Sequence, residues 1–356
     1  MHYSKRIERS AEKRAFIMKK KLLSVVLTAV MAATVLTGCG STDNGTASTT
    51  TGSAAQTEAA TSTDGKVYNI GICQLVEHEA LDAATQGFQD ALKDKLGDNV
   101  KFDLQNAQGE QTTAATICNG FVSDGVDLIL ANATSPLQSA AAATTSIPIL
   151  GTSVTDYATA LEISDWSGAT GRNISGTSDL APIEEQEAML KELFPDVKQV
   201  GLLYCSAEAN SLYQIQLFEA VLDKDGIAYK EYAIADTNEV QSVTTAAAGE
   251  CDVLYIPTDN TLASVTETVY NVVAPAKVPV IAGEEGICNG CGVATLSISY
   301  YDLGYATGEM AYEILAEGAD ITTMDVRYAP NVTKKYNAKI CEELGITVPD
   351  DYVAIQ

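Results

Sequence analysis

The chain has 356 residues, with 22 Lys and Arg against 47 Asp and Glu, for a formal net charge of −25. A nucleic-acid binder needs a basic footprint, and this balance excludes one. The roughly 290 residues that follow the low-complexity N-terminal region exceed what one core comfortably fills, which points to two domains.

In chain order, the first feature is a leader. Lys19-Lys20-Lys21 precedes Leu22 to Leu36, a run that is apolar apart from Ser24, Thr28 and Thr34. Leu36-Thr37-Gly38-Cys39 closes it. This is the layout of a secretory signal. Its end resembles a bacterial lipobox, in which the cysteine is diacylated and becomes the mature N-terminus. The run falls short of the roughly 20 residues that a membrane span needs. Met18 is therefore read as the start, residues 1–17 as upstream sequence, 18–38 as the signal peptide and Cys39 as the lipidation site. Residues 39–65, almost all Ser, Thr, Gly and Ala, have nothing to bury and form a flexible tether. Removing residues 1–38 takes away eight basic and two acidic residues, so 14 basic and 45 acidic residues remain, a net of −31. That charge favours solubility and avoids anionic surfaces, leaving attachment to the lipid.

From residue 67 onward, short apolar runs of β type alternate with helical periodicity. Strand Val67–Cys73 leads to helix Ala80–Leu96, strand Val100–Leu104, helix Thr112–Ser123 and strand Leu128–Ala131. Helix Pro136–Thr145 and strand Ile147–Leu150 close the first half. The plan restarts near Ile183 with a helix to Phe194, strand Val200–Tyr204, helix Ser211–Lys224 and strand Ala228–Ile234. Helix Val240–Ala248, strand Val253–Ile256, helix Thr261–Ala276 and strand Val278–Ala282 follow. Near-continuous apolar strands between helices indicate parallel sheets covered on both faces. The halves also echo each other: residues 127–134 (DLILANAT) match 252–259 (DVLYIPTD), and 147–151 (IPILG) match 278–283 (VPVIAG). The expected fold is α/β, with two doubly wound parallel-sheet domains: 67–181 with 300–329, and 182–299 with 330–356. Three crossings join them, near 179–183, 299–301 and 327–332.

Seven cysteines besides Cys39 lack regular spacing and do not make a disulfide framework. Cys73, Cys205 and Cys251 lie in or beside strands, where a free thiol serves as a small hydrophobe. Cys288-Asn-Gly-Cys291 is a solitary C-x-x-C, expected in a loop, with no second pair for zinc. His78 is the one histidine after residue 38. No histidine-based metal cluster follows, and no cofactor or metal is expected.

In doubly wound sheets ligands lie beyond the carboxyl ends of the strands. Polar pairs stand at those ends in both halves: Gln74 and His78, Asn132 and Thr134, Asn210 and Ser211, Asp259 and Asn260. At these clusters the chain resembles the type 1 solute-binding proteins of ABC transporters, in particular the branch for tryptophan or tyrosine uptake. The matching segments are Gln74 to Asp82 (QLVEHEALD), 131–134 (ANAT), 154–156 (VTD) and 208–211 (EANS). Segments 257–260 (PTDN), 282–284 (AGE) and 298–304 (ISYYDLG) complete the set in family order. Two positions depart from the family, which usually shows proline where Glu79 and Tyr157 stand, so two cleft loops differ in shape.

The resemblance implies an extracytoplasmic, lipid-anchored, monomeric receptor that serves an ABC permease and its ATPase. It implies ligand contacts from Gln74, His78, Leu81, Asp82, Asn132, Thr134, Thr155, Asp156, Asn210, Ser211, Asp259, Asn260 and Glu284. Several have structural alternatives, since Asp82, Asp259 and Asn260 are also placed to cap helices. Arg172 and Arg327, the two arginines after residue 38, lie outside the cleft motifs. A ligand carboxylate is therefore expected on N–H and hydroxyl donors near Asn210 and Ser211. Asp156, Asp259 and Glu284 are candidate partners for an ammonium. Tyr157, Trp166, Tyr204 and Tyr213 are candidates to stack on an aromatic side chain. The competing readings are a receptor for a peptide, base or sugar, an extracellular carboxylate enzyme, and a sensor domain. A nucleophile–base pair is missing, so the non-enzymatic reading is preferred.

Anchoring is testable directly. Cys39→Ser is expected to leave the protein unacylated, either released or retained as precursor. Metabolic labelling with a fatty acid, followed by membrane fractionation, reads this out, and labelled membrane-bound Cys39→Ser protein refutes the signal assignment.

Overall fold

The computed structural model describes residues 65–329 and 331–355; the signal, the tether and Cys39 lie outside this range. Two sheets organise the chain. The first has the order β2-β1-β3-β4-β5-β11: Val100–Asn106, Tyr68–Gln74, Leu128–Asn132, Ile149–Val154, Ile174–Ser178 and Arg327–Tyr328. All its neighbours are parallel. The second has the order β7-β6-β8-β9-β10-β12-β13: Ala228–Ile234, Gln199–Cys205, Val253–Ile256, Val280–Ala282, Ala294–Ser297, Thr333–Tyr336 and Val353–Ala354. Here β12 alone runs antiparallel to its neighbour β10.

The central strands of each sheet are buried on both faces, which explains their apolar continuity. In β3, Leu128 and Leu130 face one core with Ile70, Phe88 and Met310, while Ile129 and Ala131 face another with Phe121 and Tyr157. The second sheet alternates in the same way. Leu202 and Tyr255 enter one core, and Leu203, Leu254 and Ile256 enter the other. The sequence echo has a structural counterpart. Asp127 accepts from Asn69 N at 2.8 Å, and Asp252 accepts from Lys198 N and Gln199 N at 2.9 Å, each tying down the start of the neighbouring central strand.

The helices are α1 (Glu79–Leu96), α2 (Gln111–Asp124), α3 (Thr134–Ala143), α4 (Tyr157–Ala160), α5 (Ile183–Leu193) and α6 (Ala209–Asp225). They continue as α7 (Val240–Glu250), α8 (Asn260–Ala263), α9 (Thr266–Ala276), α10 (Glu285–Cys291), α11 (Tyr300–Leu315) and α12 (Ala338–Leu344). Helix α11 follows the second sheet in sequence yet packs on α1 of the first. Small residues make this possible. A Cβ on Gly304 would stand 1.9 Å from the Ala84 carbonyl oxygen, and one on Gly87 would stand 2.1 Å from that of Tyr301. The chain passes between the sheets after β5, before α11, and between β11 and β12.

Several expectations need correction. The helix expected over Thr261–Ala276 is broken into α8 and α9 by Val265, whose φ of −137° and ψ of 33° leave the helical region. The strand expected at Ile147–Leu150 starts after Pro148, which has no N–H to donate to a ladder, and runs on to Val154. Strand β5 (ISGTS) has no apolar pattern and was not legible. Cys288 and Cys291 lie on α10 rather than in a loop, because Glu284 caps that helix; both are buried, free thiols.

The α1–α11 contact yields a prediction. Gly304→Ala gains about 1 kcal/mol of helix propensity but drives a methyl into a backbone carbonyl, where overpacking costs on the order of 1–3 kcal/mol or more. The clash wins, and thermal or urea denaturation is expected to show a clear net loss of stability.

Candidate ligand-binding cleft

The carboxyl ends of both sheets' strands face each other, and strained backbone marks them. Ala133, after β3, has φ 103°, and Ser153, near the end of β4, has φ 55°. Non-glycine residues hold such conformations only where the surroundings enforce them, and such sites are often functional. The β4–β5 register slips at the same place, between Gly151 and Val154. Beside these kinks, the hydroxyls of Thr134, Ser135 and Ser153 and the Asn132 Oδ1 are buried without a hydrogen-bond partner. Helices α1, α3 and α6 also begin here without a side-chain cap, at His78, Ala133 and Glu208. Uncapped N-termini present free N–H groups and a positive dipole end.

Between the lobes lies a central cavity of about 10 Å³, room for roughly one water. Its lining includes His78, Leu81, Ser153, Asp179, Asp259, Asn260, Glu284 and Tyr300, and neither Lys nor Arg. Next to it a smaller space is bounded by Thr134, Asp156, Asn210 and Tyr213. A front cavity of about 470 Å³ shares Thr134, Asn210 and Asn260 with these spaces.

Three carboxyls converge on the centre, all buried. Asp259 Oδ2 accepts from Cys205 N at 2.6 Å and Ser211 Oγ at 2.8 Å, while Oδ1 caps α8 through Leu262 N at 2.9 Å. Burial above all, with the charge of Glu208 second, pushes Asp259 up to about 8. Glu284 caps α10 through the N–H groups of Gly286 and Ile287, and burial pushes it up to about 7. Asp179 accepts only hydroxyls among side-chain donors, from Thr155 at 3.0 Å and Tyr300 at 2.8 Å; burial raises it as well.

His78 reaches across the cleft. Its Nε2 lies 3.2 Å from Asn260 Oδ1. Asn260 Nδ2 donates to Glu208 Oε2 at 2.7 Å, which turns Oδ1 toward the imidazole. A carbonyl oxygen only accepts, so Nε2 carries the hydrogen. Burial lowers the His78 pKa, which favours the neutral ring.

The residues expected from sequence divide by role. His78, Leu81, Asp259, Asn260 and Glu284 line the central cavity, with Thr134, Asp156 and Asn210 beside it. Others build the frame. Gln74 donates to Asp82 at 2.6 Å and accepts from Thr85 at 2.6 Å, and Asn132 donates to Thr85 at 2.9 Å. Thr155 and Ser211 spend their hydroxyls on Asp179 and Asp259. Asp82 is neither a cap nor a cavity residue; it is exposed and orients Gln74. Asp156 caps α4 through Thr159 N at 2.6 Å. Of the aromatic candidates, Tyr157 and Tyr204 are core residues with bonded hydroxyls, and Trp166 packs on the first lobe's core. Tyr213 alone borders the cleft spaces. Ser153, Asp179 and Tyr300 were not expected. Asp179 follows the illegible strand β5, and Tyr300 reads as an ordinary helix start.

Comparison with known proteins fits this geometry. The family model for ABC transporter substrate binding proteins matches residues 69–355. The chain belongs to that family. It is 39% identical over 317 residues to a tyrosine-binding protein of Clostridioides difficile strain R20291, covering 87% of this chain and 89% of that one. An ABC domain in complex with L-Trp from Streptococcus pneumonia superposes with a TM-score of 0.77 at 34% identity, over 80% of this chain and 97% of that one. A ligand-free, open substrate-binding protein with adhesive properties from Clostridium difficile is 38% identical, yet its TM-score is 0.63, over 82% and 100% of the two chains. Lower structural similarity at higher sequence identity is what a rigid-body difference between open and closed lobes produces. The substrate-binding protein described here has its lobes together.

The raised carboxyls fix a sign. Asp259 is pushed from 3.8 to about 8 and Glu284 from 4.5 to about 7, so the folded protein holds protons that the unfolded chain has released. Their stabilising protonation is fully present below pH 4 and is lost as pH rises toward 8. Ligand-free protein is expected to lose stability across this window. Comparison of melting-temperature slopes with Glu284→Gln, which should be flatter, checks it.

Proposed function

We propose that the chain is an extracytoplasmic substrate-binding lipoprotein of an ABC importer that captures a free amino acid, tryptophan or tyrosine, in the interdomain cleft. The observation that carries this is the lining of the interdomain cleft, where three buried carboxyls and a histidine surround a space that holds about one water and has to open to admit a ligand, without any basic side chain. Such a lining favours an ammonium, because opposite charge offsets the desolvation of the acids. The uncapped starts of α3 and α6, with the orphan hydroxyls of Thr134 and Ser153, supply donors for a carboxylate. Ammonium and carboxylate together are the mark of an α-amino acid. The tyrosine-binding relative and the L-Trp complex support an aromatic side chain, and Tyr213 at the cleft edge is placed to meet it.

Capture proceeds by hinge closure between domain 1, residues 67–181 with 300–329, and domain 2, residues 182–299 with 330–356. Lipidation at Cys39 holds the monomeric receptor at the outer face of the membrane, where it delivers its ligand to a permease. Its family binds solutes, and the acids have binding and capping roles rather than catalytic ones.

Mass spectrometry of small molecules released on denaturing the purified protein tests the ligand class. Added to stripped, open protein, tryptophan or tyrosine should shrink the radius of gyration in solution scattering. At a concentration of about 100 Kd it should add about 2.7 kcal/mol of stability. Tight binding without any change in scattering counts against closure. Release of a sugar or base, with no response to either amino acid, overturns the ligand class.

A further inference from the structure

We propose that Asp179 is the specificity-determining carboxylate that takes the ligand's ammonium, while Asp259 and Glu284 serve chiefly to hold the helix starts that shape the cavity. The inference rests on the amino-acid reading above and names the residue that enforces it. All three acids line the same cavity, but their partners differ in kind. Asp259 accepts two backbone N–H groups and one hydroxyl, and Glu284 accepts two backbone N–H groups. Leu262 N, Gly286 N and Ile287 N stand at helix starts and Cys205 N at the end of β6, so these two charges are already partly compensated by hydrogen bonds to backbone donors. Asp179 has the Thr155 and Tyr300 hydroxyls, one on each oxygen, and beside them its own backbone N–H, which is shared with the Val154 carbonyl. A carboxylate has about four lone-pair sites, so at least one stays free for the N–H of an ammonium. Neutral hydroxyls compensate a buried charge less than a cation does, which leaves Asp179 with a demand for one.

Its position adds a mechanical consequence. Asp179 sits where the chain leaves β5 for the second lobe, and Tyr300 sits where α11 returns to the first. Thr155 follows β4 of the first lobe. An ammonium seated on this carboxylate therefore touches two of the three crossings, so occupancy and the hinge share one hydrogen-bond set.

The test compares amino acids with analogues that lack only the amine. Calorimetry of the full chain, stripped of ligand, would use L-tyrosine against 3-(4-hydroxyphenyl)propionate and L-tryptophan against indole-3-propionate. The parent should prefer the amino acid by about 30-fold or more, the effect of leaving a buried charge unpaired. Asp179→Asn should compress that ratio to within about threefold, whereas Asp259→Asn and Glu284→Gln should preserve it even where they weaken both ligands. An undiminished ratio in Asp179→Asn overturns the proposal, as does a ratio that collapses only in Asp259→Asn or Glu284→Gln. If Asp179→Asn does not fold, Thr155→Val and Tyr300→Phe each strip a donor from the intact carboxylate and should widen the ratio; an unchanged ratio in both overturns it. A parent that binds neither amino acid refutes the amino-acid reading and this inference together. A parent that binds both with variants that behave otherwise refutes this inference alone.

Discussion

Desolvation of carboxylates is the constraint on which the rest of the cleft depends. Asp179, Asp259 and Glu284 are out of water with the lobes together, and the cavity that they line has no basic side chain. Burial of a charge without a counter-charge costs several kcal/mol in real proteins, and the groups respond by holding protons instead. Backbone N–H groups at helix starts relieve part of this for two of the acids. What they leave over is a standing preference for a cation. A ligand that carries one favours the closed arrangement by its differential affinity for the two states, and that difference is all that binding can contribute.

The frame around the cleft is held by hydrogen-bond networks in both lobes. Gln74, Thr85 and Asn132 form a chain of hydrogen bonds that ties the ends of β1 and β3 to α1, with Asn132 Oδ1 left without a partner. In the second lobe Glu208 gathers the N–H groups of Asn260 and Thr261 and the side chains of Asn210, Asn260 and Thr261. Buried polar networks of this kind rigidify to the extent that their members are satisfied. The glycine and alanine contact between α1 and α11 then returns the chain to the first lobe with no room for slack. The closure proposed above would fall to the crossings, where few residues absorb it. The His78–Asn260 contact spans the two lobes and would be made and broken with it.

The amino-acid sequence by itself determined the class of the fold, because strands buried on both faces must be apolar throughout and helices between them must be amphipathic. It determined that the design is used twice, since residues 127–134 and 252–259 place the same residue types at the same strand ends. It also put His78, Asp259, Asn260 and Glu284 at the carboxyl ends of the strands, where they line the central cavity. Elements were lost where that logic fails. Strand β5 (ISGTS) is paired on both sides and lies against hydroxyl networks, so its burial left no apolar trace. Val265 broke a helix that periodicity alone would continue. Which acid caps a helix, which orients a neighbour and which lines the cavity was decided only by tertiary structure. A capping aspartate and a ligand-facing aspartate have the same local sequence, and they differ only in the donors that a distant segment brings to them. Asp179 shows this: its partners come from Thr155 and from Tyr300, 121 positions further along the chain, and their meeting is a product of the fold.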